Sequence, residues 1–263
     1  MTNDIPKLVF IVPYRDREYE KTHFTIYMKY IMEDYNKSDY EIYFSHQKDT
    51  RPFNRGAIKN IGFLAVKDKY PLNYKNITFI FNDIDTLPFV KNLLNYETIK
   101  GEIKHFYGFK FSLGGIFSIK GEDFEKINGF TNNWGWGLED NIIQINILNN
   151  NLKINRDNFF HLNSREIIHL YDSPERLINN DDIKKYNNKI YLDTLNKINN
   201  LEYKIIKNFE NVNSNESNIF IIDIYKFNTL YSFNEKSFYL QNMKEKKLLN
   251  TKNIGVGFKM KLH

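Results

Sequence analysis

The chain has 263 residues, a formal charge of +5 and no cysteine. That length suits one large α/β domain, or a domain with an appendage, around a sizeable core. The missing thiols exclude a disulfide framework and a thiolate metal site, and the lysines are scattered among Asn and Ile, unlike the clustered charge of a nucleic-acid binder.

No apolar stretch approaches the ~20 residues that cross a bilayer, and the first residues lack a charged-then-apolar signal pattern. The expectation is a soluble chain of a reducing, cytoplasmic compartment, or of the host-cell cytoplasm if the source is viral.

In chain order, residues 8–12 form an apolar run ended by Pro13, read as a buried first strand. A helix is predicted over 18–35, a second strand over 40–44, and a helix over 55–66 with Ile58, Ile61, Leu64 and Ala65 on one side. Residues 77–81 read as a third strand, with Asp83-Ile84-Asp85 just beyond its carboxyl end. Strands alternating with helices predict an α/β fold with a mainly parallel central sheet. Ligands of such sheets sit at the carboxyl ends of the strands.

Residues 106–119 read as sheet broken by Gly114-Gly115, and 139–148 as a helix. Residues 163–171 are a strand or extended loop, 173–200 polar and weakly helical, and 218–225 a further strand. The 208–217 segment is loop-like. The chain thus divides into a domain of residues 1–225 and an extension, 226–263, that forms a hairpin against the domain or joins a partner.

Five constellations carry chemistry. The run Asn128-Gly129-Phe130-Thr131-Asn132-Asn133-Trp134-Gly135-Trp136-Gly137-Leu138-Glu139-Asp140 holds both tryptophans and two carboxylates. It reads either as a sugar-stacking platform beside a general base or as a tight turn burying two aromatics at a helix start. Asp83 and Asp85 suit Mg²⁺ or Mn²⁺ completed by phosphate oxygens, or a capped turn. Phe53-Asn54-Arg55 offers a ring for a base and a guanidinium for phosphate, or a stapled and capped helix start. Pro13-Tyr14-Arg15-Asp16-Arg17 puts two more arginines at a strand end. His169, near Arg165, Glu166, Tyr171 and Asp172, is a candidate imidazole ligand or a satisfied structural histidine.

Taken in order, these segments resemble the β-1,4-galactosyltransferase family, inverting glycosyltransferases of group 7. The matching residues are Ile11 to Arg17, Phe53-Asn54-Arg55 with Asn60-Ile61-Gly62-Phe63, Asp83-Ile84-Asp85 with Pro88, Gly114-Gly115, Ile127 to Phe130, Trp134 to Gly137 with Glu139-Asp140, and His169. The resemblance implies a GT-A fold and a UDP-sugar donor. It implies Mn²⁺, or Mg²⁺ in its place, held by Asp85 and His169, and a glycan acceptor.

It further implies that Pro13, Arg15 and Arg17 line the diphosphate, that Phe53 and Arg55 hold the uracil, and that Asp83 meets the sugar or ribose. Trp136 would close on the donor, Asp140 act as general base, and Glu139 bind sugar hydroxyls. The Trp136 loop and the His169 segment would close to exclude water.

The chain departs from the family pattern at four places. Leu138 replaces a glycine and Asn141 an aspartate. Glu166 and Tyr171 occupy positions where relatives carry a third metal ligand, and Glu166 is the expected one because a hard carboxylate suits Mn²⁺ or Mg²⁺. Ser112 stands before Gly114-Gly115 where galactose-using relatives carry a tyrosine, so UDP-GalNAc, or UDP-GlcNAc, is expected alongside or above UDP-Gal. The competing readings are a sugar- or nucleotide-binding relative without turnover and an interaction protein working through its tail.

Overall fold

The computed structural model describes residues 5–170, 175–207 and 218–242. Tyr171, Asp172, the 208–217 segment and the tail beyond residue 242 lie outside the described residues.

The elements run β1 (Leu8–Tyr14), α1 (Glu18–Ile31), β2 (Tyr40–Gln47), α2 (Arg55–Lys69), β3 (Thr78–Asn82), β4 (Thr86–Pro88), β5 (Glu102–Gly108) and β6 (Ile116–Lys120). There follow α3 (Gly121–Lys126), α4 (Glu139–Asn149), β7 (Lys153–Asn155), β8 (Phe160–His161), β9 (Ile167–His169), β10 (Glu175–Asn179), α5 (Asn180–Asn187), β11 (Asn199–Lys207), β12 (Ile219–Asn228) and β13 (Phe238–Asn242).

Among the described residues, nine strands form one sheet in the order β11-β12-β2-β1-β3-β6-β5-β7, with β8 also paired to β5. Its centre, β12-β2-β1-β3, is parallel, whereas β6 runs antiparallel to both β3 and β5. The sheet is therefore mixed, with a parallel heart. That heart is buried on both faces because the side chains of β1 alternate between two apolar layers. Val9 and Ile11 join Ile58, Ile61 and Phe63 of α2. Leu8, Phe10 and Val12 join Phe24 and Met28 of α1. The aromatic richness goes largely into these layers: Phe63, Phe79, Phe81, Phe117, Phe124 and Phe130 pack as one cluster.

Three sequence expectations change. The helix expected over 18–35 ends at Ile31, where Met32 N–H donates back to Met28 O and Glu33 N–H to Tyr30 O. Within the polar 173–200 stretch, only Asn180–Asn187 is α-helical. No hairpin forms within residues 226–242. Instead β13 pairs antiparallel with β10, and β12 runs through the boundary expected after residue 225. No helix among the described residues is long and apolar enough to cross a membrane.

Candidate active site

The carboxyl ends of β1 and β3, the start of α2 and the loop before α4 converge on one cleft of about 1060 Å³. Its walls include Pro13, Arg15, Arg17, Phe53, Arg55, Asp83, Asp85, Ser112, Gly114, Gly115, Trp136, Asp140 and His169. Residues as far apart in sequence as Pro13 and His169 thus meet at one place, as the strand ends of an α/β sheet dictate. A cleft of this size holds a drug-sized or larger ligand.

The metal candidates come together through a small ladder. β4 and β9 pair antiparallel with Thr86 opposite His169, and Leu170 N–H donates to Asp85 O at 2.8 Å. This sets His169 Nε2 3.9 Å from Asp85 Oδ2. The Tyr107 hydroxyl meets the other ring nitrogen, Nδ1, at 3.1 Å, which leaves Nε2 turned toward Asp85. Burial first, and then the neighbouring Asp83 charge, raise the Asp85 pKa to about 6.

Glu166 is not in this group. It is exposed, and it precedes the strand that carries His169 by one residue, three positions before the histidine. Glu166 stands in the turn just before β9 and does not line the cleft. Among the described residues no group of three His, Asp or Glu side chains is placed to hold a metal ion.

At the other wall, Arg55 gathers three carboxylates. Its Nη1 lies 2.5 Å from Glu139 Oε1 and 2.9 Å from Asp140 Oδ2, and its Nη2 donates to Asp83. Burial works against the guanidinium charge, but Asp140, Asp83 and Glu139 outweigh it and keep Arg55 firmly protonated. One turn further along α2, buried Lys59 lies 3.0 Å from Asp140 Oδ1. Burial opposes ionisation of Asp140 too, yet Arg55 and Lys59 hold its pKa down at about 2. Glu139 moves the other way, raised by burial and by Asp140.

Neighbouring residues on a helix diverge by about 100°, and here only one of the two acids reaches the cleft. The Asp140 side chain remains 19% exposed, whereas Glu139 is 2% exposed and its Oε2 has no hydrogen-bond partner. The expectation that Glu139 reads sugar hydroxyls is thus corrected: it sits behind Arg55. Arg55 likewise meets carboxylates in addition to facing the cleft. Asn54, between two cleft residues, caps α2 by accepting from Ala57 N–H at 2.9 Å. The tripeptide thus starts a capped helix while Phe53 and Arg55 line the cleft.

The two tryptophans separate. Trp134 is buried and stacks on Phe227, at 5.6 Å and 8° between planes, with the Arg51 guanidinium 4.7 Å from its ring centre. Its indole N–H donates to Thr229 Oγ1 and Tyr231 O. Trp136 is 47% exposed on the cleft wall, beneath Arg176, and its backbone N–H donates to Leu177 O of β10. One ring of the loop is thus packed in the core and the other is exposed on the cleft wall.

Backbone geometry completes the site. Gly115 has φ +72°, and a Cβ at Gly114 would lie 2.6 Å from Asp140 Oδ2. Leu138 adopts the left-handed backbone that glycine favours, with φ +74°, at a cost of roughly 1–2 kcal/mol for a residue with a side chain. Lys59, Tyr107, Arg176 and Leu177 were absent from the sequence reading. Of these, only Lys59 had a signal, its four-residue spacing from Arg55.

Comparison with known proteins identifies the family and the fold. Residues 3–96 match the family model described as the N-terminal region of glycosyl transferase group 7. Residues 99–172 match the model described as the N-terminal domain of galactosyltransferase.

The chain is 32% identical over 166 residues to β-1,4-galactosyltransferase 4 of Cricetulus griseus, covering 59% of this chain and 46% of that protein. It is 29% identical over 223 residues to β-1,4-galactosyltransferase 7 of Drosophila melanogaster, covering 77% and 64%. The chain spans about half the length of these curated β-1,4-galactosyltransferase 4 relatives.

The crystal structure of the catalytic domain of the Drosophila enzyme with xylobiose aligns with a TM-score of 0.61 at 23% identity, covering 89% of this chain and 98% of that one. A mutant of the same enzyme with manganese, UDP-Gal and xylobiose aligns with a TM-score of 0.59 at 22% identity, over the same shares. The architecture is the GT-A fold of these galactosyltransferases. The chain belongs to the β-1,4-galactosyltransferase family, glycosyltransferase group 7.

Proposed function

We propose that this chain is a metal-dependent inverting glycosyltransferase. It moves a hexose or N-acetylhexosamine from a UDP-sugar to a hydroxyl of a glycan acceptor, forming a β-linkage. The observation that carries this reading is the placement of the Asp85–His169 pair and of Asp140 on the walls of a single cleft.

The pair suits a divalent cation. A carboxylate oxygen and an imidazole nitrogen 3.9 Å apart can be bridged by an ion with bonds of ~2.1 Å after a small adjustment. The remaining ligands would be diphosphate oxygens, since no third protein ligand stands with them among the described residues. When bound, the cation would supply positive charge to the departing diphosphate.

The other roles follow from place and charge. Arg15 and Arg17 face the diphosphate, Phe53 offers its ring to the uracil, and Asp83 faces the sugar or ribose. Trp136 presents its exposed face to the sugars. Asp140 accepts the proton of the acceptor hydroxyl as that oxygen attacks the anomeric carbon from the face opposite UDP. One displacement inverts the configuration without a covalent enzyme–sugar intermediate. Ser112, on the cleft wall, supports a donor site with room for an N-acetyl group, so that UDP-GalNAc or UDP-GlcNAc is used alongside or above UDP-Gal.

A second reading, binding without turnover, has one observation in its favour: both oxygens of Asp140 are engaged by cations, which weakens it as a base. A panel of UDP-sugars, with and without Mn²⁺, separates the two. Metal-dependent transfer or donor hydrolysis supports the enzyme, and a metal-dependent thermal shift without product release supports the binder. Strong turnover of UDP-Gal with none of either acetylated donor would sink the assignment to Ser112.

A further inference from the structure

Lys59 lies outside the motifs that carry the family resemblance, yet it is among the most enclosed charged groups of the fold. Its side chain is 1% exposed and its Nζ stands 3.0 Å from Asp140 Oδ1. Lysine is almost never buried so far without a partner, and a second contact supports it, the face of Phe130 at 4.5 Å from Nζ to the ring centre. Neither donor nor acceptor can reach it. Whatever Lys59 does for the reaction, it does through Asp140.

The two oxygens of Asp140 are held differently. Oδ2 meets Arg55 at 2.9 Å and borders Gly114, whose missing Cβ leaves it room. Oδ1 is turned back toward α2 and Lys59. Arg55 and Lys59 reach both oxygens from one helix because residues four apart share a face.

The charged groups around this carboxylate come from several elements. Arg55 and Lys59 project from α2, Glu139 from α4, and Asp83, through Arg55, from the turn after β3. Behind Gly114 stands His105 of β5, its Nε2 3.0 Å from Gly114 O. Three carboxylates therefore surround two cations. Without Lys59, Arg55 alone would face Asp83, Glu139 and Asp140, and adjacent buried carboxylates in such a setting take up a proton.

We propose that Lys59 is a positioning residue that keeps Asp140 ionised beside Glu139, pins Oδ1, and leaves Oδ2 as the oxygen that meets the acceptor hydroxyl. This rests on reading Asp140 as the base. In the step concerned, the acceptor oxygen bonds to the anomeric carbon while the bond from that carbon to the diphosphate oxygen breaks. The electron pair leaves on UDP and the hydroxyl proton passes to Oδ2. Glu139 and Asp83 then remain to balance the two cations.

The test uses the full chain with Lys59→Met and Lys59→Gln, the second of which keeps a hydrogen-bond donor without the charge. Carbon-13 NMR of aspartate-labelled protein, with the Asp140 signal assigned through Asp140→Asn, follows ionisation without needing turnover. The wild-type signal should stay in its ionised position from about pH 8 to about pH 4, while both variants titrate one to two units higher, within roughly the range by which an opposite charge at this distance moves a carboxyl.

In parallel, the acid limb of kcat/KM should move upward by a similar amount in both variants, with donor KM within about twofold of wild type. An unmoved Asp140 titration in folded variants overturns the proposal, as does a uniform loss of rate with an unmoved acid limb. A wild-type chain that shows the NMR shift on substitution but no turnover would leave the role of Lys59 standing and defeat the reading as an enzyme.

Discussion

Arg55 Nη1 lies 2.9 Å from Asp140 Oδ2, and this contact joins the start of α2 to the start of α4 across the cleft. The same guanidinium holds Glu139 and Asp83, so strand end, helix start and loop share one electrostatic centre. A charge-assisted contact of this kind orients the carboxylate as well as stabilising it.

One consequence is an acid-dependent stability. The folded-state pKa of Asp140, about 2, lies below the ordinary aspartate value of about 3.9. A depressed carboxyl stabilises the fold fully above the unfolded value and loses that contribution as pH falls through the folded one. Asp140→Asn should remove roughly 2 kcal/mol at neutral pH and flatten the stability slope between about pH 4 and pH 2. Urea melts at stepped pH would show it, and an unchanged slope would count against the ion pairs.

The separation of the tryptophans predicts opposite phenotypes. Trp134→Ala empties a packed site between Phe227 and Phe233 and should cost about 3–5 kcal/mol of stability. Trp136→Ala removes a half-exposed ring and should leave the melting midpoint nearly unchanged while raising KM for donor or acceptor. Equal destabilisation of both variants would contradict the geometry.

Gly114→Ala should act on rate. The added Cβ would meet Asp140 Oδ2 at 2.6 Å, and displacing a reacting group by ~1 Å can cost about a hundredfold. Turnover should fall by about that factor while UDP binding, read by calorimetry, is retained. Loss of UDP affinity in the same variant would place the effect elsewhere.

Metal dependence should rest on Asp85 and His169 together. Asp85→Asn or His169→Ala should abolish the thermal shift produced by Mn²⁺ with UDP, because each removes one of only two protein donors that face each other across the 3.9 Å gap. Glu166→Gln should leave that shift in place, since Glu166 lies outside the cleft. A Glu166 variant that fails to respond would restore it as a ligand.

Ser112 offers the test of donor choice. Ser112→Tyr places a large ring at a buried position of the cleft wall and should lower turnover of UDP-GalNAc at least tenfold relative to UDP-Gal, a modest discrimination for a steric contact. Identical losses for both donors would show that the residue does not sense the sugar's substituent.

Much of the site was legible along the chain because its parts are local. Asp83-Ile84-Asp85 follows a strand of apolar residues, and Asn54 caps a helix that its periodicity announces. Such features depend on neighbours within a few positions, where steric and hydrogen-bonding preferences act directly. Other assignments could not be reached that way. Glu166 follows from chemistry as a ligand, but its exposed place in the turn before β9 keeps it out of the cleft. Glu139 and Asp140 are adjacent acids, and only the packing of α4 against α2 decides which of them stays in contact with solvent.

The amino-acid sequence by itself determined the parallel heart of the sheet, the order of the strand-end motifs and the family. Those follow from runs of apolar residues and short-range patterns that no distant contact can reverse. Tertiary structure alone decided which tryptophan is core and which is cleft wall, that β13 pairs with β10 beside the cleft, and that Lys59 meets Asp140. Each of these depends on segments dozens of residues apart, whose pairing is set by the summed burial of the whole sheet and not by any local preference.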